Sequence, residues 1–445
     1  MGHNTIPAQM EACYSPDVLV VGGGPAGSTI STLLAERGYD VVLLEKSHHP
    51  RFHIGESLLP MNLPLFERLG VKEQVSSIGM LKYGAEFISP DHDEPSLFEF
   101  ADALDKSFPD AYEVRRSELD EILFKNAVAK GTRAHEGCNV KRIAFPDGDR
   151  ALVVAHQEGG EVREWHPRFV VDASGRDTLL ANQLGIKHRN KKHSSASVFA
   201  HFTGAERRTG KQEGNITLFW FEHGWFWYIP LRDGSVSVGV VCWPYYMKSR
   251  KTSMEQFFFD TIALCPVLAS RLQAAKLSSS VTATGNFAYS SERCSGNKYI
   301  MIGDAFAFID PVFSSGVLLA MNGAFTGAAA VDECLKNPAM SANILKKFDK
   351  TSRYGLNIFS WIIYRMTTPA MRSMFMQPSN KFRLQETLLS VLAGDLYRDT
   401  PIRLRLQIFK VVYYLLSVKM LGKTYSAWRR RKHSIRNVDF EATSP

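Results

Sequence analysis

Asp17-Val18-Leu19-Val20-Val21-Gly22-Gly23-Gly24-Pro25-Ala26-Gly27 is the stretch from which the fold can be read. A short β-branched run ends in glycines, residues 28–37 have helical character, and Val41-Val42-Leu43-Leu44-Glu45 is a second apolar run closed by an acid. Strand, glycine turn, helix, strand, acid is the βαβ unit that binds dinucleotides. Each residue type has a physical task there. Gly22 permits the tight turn, and Gly24 lets the backbone approach a pyrophosphate that a Cβ would push away. Gly27, next to Ala26, allows the helix to pack close on the strand. The phosphate then rests on the helix N-terminus, where free N–H groups and the positive dipole end favour an anion. Glu45 stands eighteen residues after Gly27, placed for ribose hydroxyls, and Lys46 follows it at the edge of the same cofactor site.

The 445 residues around this unit leave room for two or three lobes and a large core. A composition of 45% hydrophobic and 22% charged residues excludes a disordered chain. The net charge of +8 is partly local, in Trp428-Arg429-Arg430-Arg431-Lys432-His433. A basic run can attract nucleic acid, anionic membrane or an acidic carrier protein, but a solvated tail is the plainer expectation. The six cysteines are scattered and form no CxxC, so reduced thiols are expected rather than a disulfide framework or a metal site. His48, His49 and His53 likewise have no metal-ligand partner pattern and are expected on a loop face or beside the cofactor. Residues 1–15 lack the basic-then-apolar pattern of a leader, and no apolar run reaches the length of about eighteen that suggests a spanning helix. Residues 408–421, interrupted by Lys410 and Lys419, are expected to form a packed helix rather than one lying on a membrane. The chain is accordingly expected in the cytoplasm, as monomer or homodimer, without nucleic acid or membrane contact.

Further along, Phe169-Val170-Val171-Asp172-Ala173-Ser174-Gly175-Arg176 and Tyr299-Ile300-Met301-Ile302-Gly303-Asp304-Ala305 each read as a strand ending in a turn. Both are similar to recurring segments of flavin monooxygenases with the glutathione-reductase-like fold, a resemblance spanning residues 17–331. It implies FAD as the dinucleotide, Asp304 at its ribityl chain and Arg116 near its phosphate and ribityl region. The fold expected is α/β: a glutathione-reductase-like FAD-binding Rossmann fold with an inserted antiparallel substrate sheet and a helical C-terminal region. The FAD-binding core is assigned to residues 15–335, with the sheet inserted at about 83–108 and 190–280 where apolar and polar residues alternate. Residues 340–445 read as helical, broken at Pro369, Pro378 and Pro401. Met366, Met371, Met374, Phe375 and Met376 form a soft apolar cluster there, read as core filling before an adaptable substrate lid. No second strand–glycine turn–helix unit follows, so electrons are expected from a separate NAD(P)H-dependent flavin reductase.

Three segments narrow the class. Gly224-Trp225-Phe226-Trp227-Tyr228-Ile229-Pro230 matches the WxWxIP signature of flavin-dependent halogenases at every fixed position. Alternating aromatics alone suggest only a strand facing a core. Lys82 lies in Gly79-Met80-Leu81-Lys82-Tyr83-Gly84, downstream of Gly55-Glu56-Ser57-Leu58-Leu59-Pro60, where that family carries its halogen-directing lysine. Taken by itself it would be a surface lysine before a strand. Phe308-Ile309-Asp310-Pro311-Val312-Phe313-Ser314-Ser315-Gly316 resembles the family's halide turn. The resemblance implies FAD delivered as FADH2, O2, chloride or bromide on the amides of Ser315 and Gly316, and Pro311 and Gly316 beside the flavin. It also implies Trp225, Trp227, Ile229 and Pro230 as the wall between flavin and substrate, and Lys82 as the catalytic residue acting on hypohalous acid. Tryptophan halogenases carry a glutamate where this chain has Phe313, so the resemblance implies a phenol or pyrrole, free or tethered to a carrier protein, with an aliphatic enolisable carbon left open. The rival readings are an aromatic hydroxylase using NAD(P)H, an isoprenoid-chain reductase and a non-catalytic flavoprotein.

Overall fold

The structure, a computed structural model, describes residues 14–190, 193, 195–285, 288–398, 401–429 and 432. Cys13, Arg430, Arg431 and His433 lie outside the described residues. The strands Val18–Val21 and Val41–Leu44 pair in parallel, and Phe169–Asp172 flanks Val18–Val21 on its other side. Tyr299–Met301 and Arg133–His135 extend the parallel sheet at either side, and a short antiparallel strand, Ser295–Gly296, closes one edge. Both faces of the central strands are covered, which is why Val18–Val21 and Val41–Leu44 read as unbroken apolar runs and not as an alternation.

One face is covered by the helix Pro25–Ala35 and by the long, alanine- and glycine-rich helix Gly316–Lys336. Small residues let these elements approach closely. A Cβ at Gly327 would stand 2.9 Å from the Ile300 side chain and 3.2 Å from that of Ile30.

A second sheet of eight strands contains Gly84–Ile88, Ser96–Glu99, Ala196–Thr203, Ile216–Phe221, Gly224–Pro230 and Val236–Cys242. The last three are buried along their whole length, and the two-residue period divides their side chains between two cores. Phe226, Tyr228, Val238 and Val240 face the helices Met254–Ala263 and Pro266–Arg271. Trp225, Trp227 and Ile229 face the opposite core, which the C-terminal helices complete.

Those helices are Ser341–Ile363, Pro369–Met376, Leu384–Leu392 and Ile402–Lys419. Pro369 begins one helix and Pro401 caps another, positions where a missing N–H costs nothing. Met366, Met371, Phe375 and Met376 are buried among Phe87, Phe98 and Trp220, the core-filling role expected of them. The packed helix expected over residues 408–421 is only half realised. Ile402, Leu406, Phe409 and Tyr413 are buried, but Val411, Leu415 and Val418 on the other side are exposed. A contiguous apolar run does not show which of its residues find a partner.

Candidate active site

A cleft of about 620 Å³ runs from the glycine turn to the tryptophan strand, walled among others by Gly22, Gly24, Glu45, Arg116, Asp304 and Gly316. Ala26, Lys46, Pro311, Trp225, Trp227 and Ile229 also line it. Gly27 does not. It sits behind the turn, where an added Cβ would stand 1.8 Å from the Gly22 carbonyl oxygen. Gly22 itself has φ +97°, a conformation that favours glycine.

The residues present fit FAD. At Gly24 the backbone is extended (φ −77°) and a Cβ would meet only the Arg51 guanidinium, at 3.6 Å, so folding does not demand the glycine. A Cβ there would occupy space beside the N-terminus of the first helix, where a pyrophosphate needs it empty. Glu45 is buried; its Oε2 accepts the Gly23 N–H at 2.7 Å and its Oε1 the Ser47 N–H at 2.9 Å. The carboxylate therefore braces the glycine turn and retains lone pairs for a ribose. Lys46 pairs with Asp177 across the mouth of the cleft.

Behind the wall runs a ladder of alternating charge. Arg51 lies between Glu45 (3.5 Å) and Asp120 (3.1 Å), and Arg116 donates to Asp120 at 2.9 Å and to the Ile54 carbonyl at 3.0 Å. Burial pushes the Asp120 carboxyl up, but Arg116 and Arg51 outweigh it and hold the group below the usual carboxylate range. With its fork engaged on one side, Arg116 presents a fixed cation to the cleft. Asp304 lies under the same cleft, its carboxyl pushed up to about 6 by burial against the pull of Arg176 and Arg116. His53 lines the cleft too; burial and Arg116 push its imidazole down to about 4, so it stays neutral near pH 7.

The aromatic wall is anchored at both tryptophans. The Trp227 Nε1–H donates to Ser237 Oγ at 3.2 Å, and Trp225 hydrogen-bonds Asp310. Asp310, pushed up to about 6 by burial, also accepts from Ser195 Oγ at 2.9 Å. Anchored indoles hold their faces in place. Pro230 ends the strand opposite Val236 and is not part of the cleft wall.

In the turn that follows Asp310, Ser314 adopts φ +56° and its N–H is used by the Pro311 carbonyl at 2.9 Å. The helix begins at Gly316, so its first-turn amides have no partner within the helix. Ser314 and Gly316 line the main cleft, whereas the buried Ser315 borders a smaller cavity behind it, of about 60 Å³. Phe313 points away into the apolar core and stacks on Phe375, ring centroids 5.9 Å apart. A carboxylate could be placed there only at a high desolvation cost.

Lys82 is one of the most deeply buried side chains in the molecule, at 1% exposure. It ends the short strand Met80–Lys82, which pairs antiparallel with Ala111–Glu113 so that Lys82 and Glu113 are diagonal neighbours on one face. Nζ donates to Ser57 Oγ at 2.7 Å and to the Leu58 carbonyl at 3.0 Å, and lies 3.6 Å from Glu113 Oε1. Ser57 Oγ donates in turn to Glu113 at 3.2 Å, and Ser57 is the member of this group that lines the cleft. Burial pushes the Lys82 ammonium down and the Glu113 carboxyl up to about 8, against their mutual attraction. Burial thus drives both groups toward neutrality.

Sequence reasoning missed Glu113. Its signal was an acid inside the apolar run Ala111-Tyr112-Glu113-Val114, but only the strand pairing puts it beside Lys82. Ser57 was in view without a role, and His53, expected on a loop face or beside the cofactor, lines the cleft. Among the described residues no cluster of His, Cys, Asp or Glu is arranged to hold a metal ion.

Residues 15–353 match the family described as FAD binding domain. The chain is similar to a tryptophan 2-halogenase of Chondromyces crocatus (35% identity; 72% of this chain, 62% of that protein). It is also similar to the flavin-dependent halogenase armH4 of Armillaria mellea (33%; 75% and 68%). A 1H-pyrrole-2-carbonyl-[peptidyl-carrier protein] chlorinase of Pseudomonas fluorescens is 28% identical over 86% of this chain and 89% of its own. Among solved structures, the myxobacterial chondrochloren halogenase CndH superposes with a TM-score of 0.75 at 28% identity, covering 92% of this chain and 97% of that one. The chain thus spans less than two thirds of the tryptophan enzyme's length but nearly all of the pyrrole enzyme's.

Proposed function

The chain belongs to the FAD-binding-domain family and, within it, to the flavin-dependent halogenases, and from that premise we propose that it chlorinates or brominates an electron-rich aromatic ring with Lys82 directing the halogen. The observation that carries this reading is the buried Lys82–Ser57–Glu113 cluster joined to the cleft through Ser57. When bound as FADH2, the flavin supplies, with O2 and halide, the oxidising power that makes hypohalous acid. The chain's own groups do the rest. The first-turn amides at Ser315 and Gly316 offer donors and partial positive charge to a halide without bulk. Trp225, Trp227 and Ile229, on the strand ended by Pro230, keep an aromatic ring off the flavin while leaving passage for a small oxidant. Lys82 hydrogen-bonds that oxidant and polarises its oxygen, and Glu113 takes up or returns the proton that Lys82 exchanges.

The substrate proposed is a phenol or pyrrole, free or tethered to a carrier protein. Support comes from Phe313, whose side chain is committed to the apolar core, and from the carrier-specific pyrrole relative. A separate flavin reductase is proposed as electron donor because the sequence carries no second strand–glycine turn–helix unit for a nicotinamide cofactor. The test is product mass from a panel of free and carrier-bound phenols and pyrroles, with a flavin reductase and either chloride or bromide. Halide-dependent gains of 34 or 78 mass units (roughly, for hydrogen replaced by the lighter isotope of chlorine or bromine) are expected as the cofactor's chemistry dictates. A gain of one oxygen regardless of halide would identify a hydroxylase instead.

The Lys82–Glu113 pair also predicts a pH effect. Glu113 attracts the ammonium and raises its pKa against burial, so Glu113→Gln removes a stabilising charge and Lys82 loses its proton at lower pH. The limb of the halogenation pH–rate profile that reports Lys82 is expected to move down by about 1–3 units, the range for an opposite charge at this distance. An unchanged profile would show that Glu113 does not govern the lysine.

A further inference from the structure

We propose that the C-terminal helix rests on the surface of an anionic lipid bilayer, holding the enzyme at a membrane without crossing it. Spacings of seven, four and three place Leu404, Val411, Leu415 and Val418 on one side of the helix Ile402–Lys419, opposite the buried Ile402, Leu406, Phe409 and Tyr413. The exposed row is not a fringe of half-covered side chains: Leu404 is 73% exposed and Leu415 66%. Residues 421–429 continue as helix after a one-residue break at Met420, and Tyr425 and Trp428 are exposed there. Isolated exposed apolar residues are ordinary, but a row about 21 Å long, at 1.5 Å per helical residue from 404 to 418, with exposed aromatics beyond it, is not.

Charge decides what covers this face. Between Asp399 and Asp439 the sequence contains no acidic residue, while Arg403, Lys419, Lys423, Arg429 and Lys432 are exposed along the described part of it. A second copy of the chain would set these cations against their own kind with no acid on either helix to compensate, so self-association through this face is disfavoured. Nucleic acid would use the cations and leave the leucines and valines in water. An apolar row whose charged neighbours along the segment are all Lys and Arg, followed by exposed Tyr and Trp, has the chemistry of a helix lying in a lipid headgroup layer. Among the described residues no helix is long and apolar enough to span a membrane, which fits a helix lying on the bilayer rather than through it. This revises the expectation that residues 408–421 are simply packed: Lys410 lies over the Trp361 ring, 5.3 Å from its centroid, but Lys419 is exposed and belongs to the basic border.

The experiment is sedimentation of the full-length protein, loaded with FAD, with vesicles of phosphatidylcholine alone or mixed equally with phosphatidylglycerol. Partition is expected to be at least about tenfold stronger on the anionic vesicles, given roughly 1 kcal/mol per basic residue near such a surface, and to fall as salt rises. The double variant Leu415→Asp with Val418→Asp changes two exposed residues remote from the FAD cleft. It is expected to lose vesicle binding and to keep FAD affinity and halogenation. Three outcomes would overturn the proposal: no partition onto anionic vesicles; a dimer in analytical ultracentrifugation that the double variant dissolves; or a complex with an acidic carrier protein that the double variant abolishes while vesicle binding is absent.

Discussion

Lys82→Ala is expected to reduce halogenation by about 10³-fold, within the range contributed by one positioned proton-transferring group, while FAD affinity stays unchanged. Lys82 does not line the FAD cleft and touches it only through Ser57, so its removal takes nothing from the cofactor's walls. Reoxidation of FADH2 by oxygen should continue and release hydrogen peroxide at the wild-type rate. The fold should survive, for a reason visible in the pair's electrostatics. Removing one partner of a buried ion pair costs about 3–5 kcal/mol when the other stays charged. Burial already pushes the Glu113 carboxyl up to about 8, and losing the attraction of Lys82 pushes it further in the same direction. Glu113 therefore binds a proton at neutral pH and avoids most of that cost. The sign follows: the contribution of Glu113 to the variant's stability is fully present below its unfolded value near 4.5 and declines as pH rises from there through the raised folded value. Halide-dependent product formation, peroxide release and flavin fluorescence titration together check the prediction. An equal loss of FAD affinity would move Lys82 from the chemistry to the cofactor pocket.

The second large effect separates two glycines that look alike in the motif. Gly27→Ala inserts a methyl group 1.8 Å from the Gly22 carbonyl oxygen and 3.3 Å from the Ala173 Cβ, and the backbone carbonyl cannot give way as a flexible side chain would. The helix must move off the strand, so a thermal midpoint lower by several degrees is expected, from an overpacking cost of about 1–3 kcal/mol or more. FAD affinity is expected to fall with it. Gly24→Ala should behave differently. Its φ of −77° suits alanine and the new Cβ meets only Arg51 at 3.6 Å, so the FAD-free protein should unfold at an unchanged temperature. Its FAD affinity should nevertheless drop by at least about tenfold, or 1.4 kcal/mol, because the methyl group projects where the pyrophosphate lies. Calorimetry of the FAD-free proteins beside FAD titration distinguishes the two. Unchanged FAD affinity in Gly24→Ala would mean that the cofactor approaches the turn by another route.

How much of this was legible beforehand differs from residue to residue. Gly22, Gly24, Gly27 and Glu45 lie within one local unit, and their jobs follow from backbone conformation and spacing. Trp225, Trp227 and Ile229 were legible for a related reason: the two-residue period of a strand puts them on one face whatever they meet. Ser315 was less so. The turn was found, but the structure sets Ser314 and Gly316 against the main cleft and Ser315 against the cavity behind it, a matter of a single left-handed residue at Ser314. Glu113 was invisible as a partner of Lys82 because thirty-one residues and the pairing of two three-residue strands separate them.

The sequence by itself determined that this chain builds a dinucleotide cradle and an aromatic strand of a halogenase type, because those properties depend on residues that are neighbours along the chain. Only the tertiary structure decided which acid lies beside Lys82, that Phe313 is committed to the apolar core, and that the C-terminal helix leaves one apolar face uncovered. Each of those depends on burial and on what packs opposite, and a side chain's dielectric surroundings, its pKa and its partners are set by atoms far away in sequence. The glycine turn is local and could be read; the lysine's proton is held by the fold.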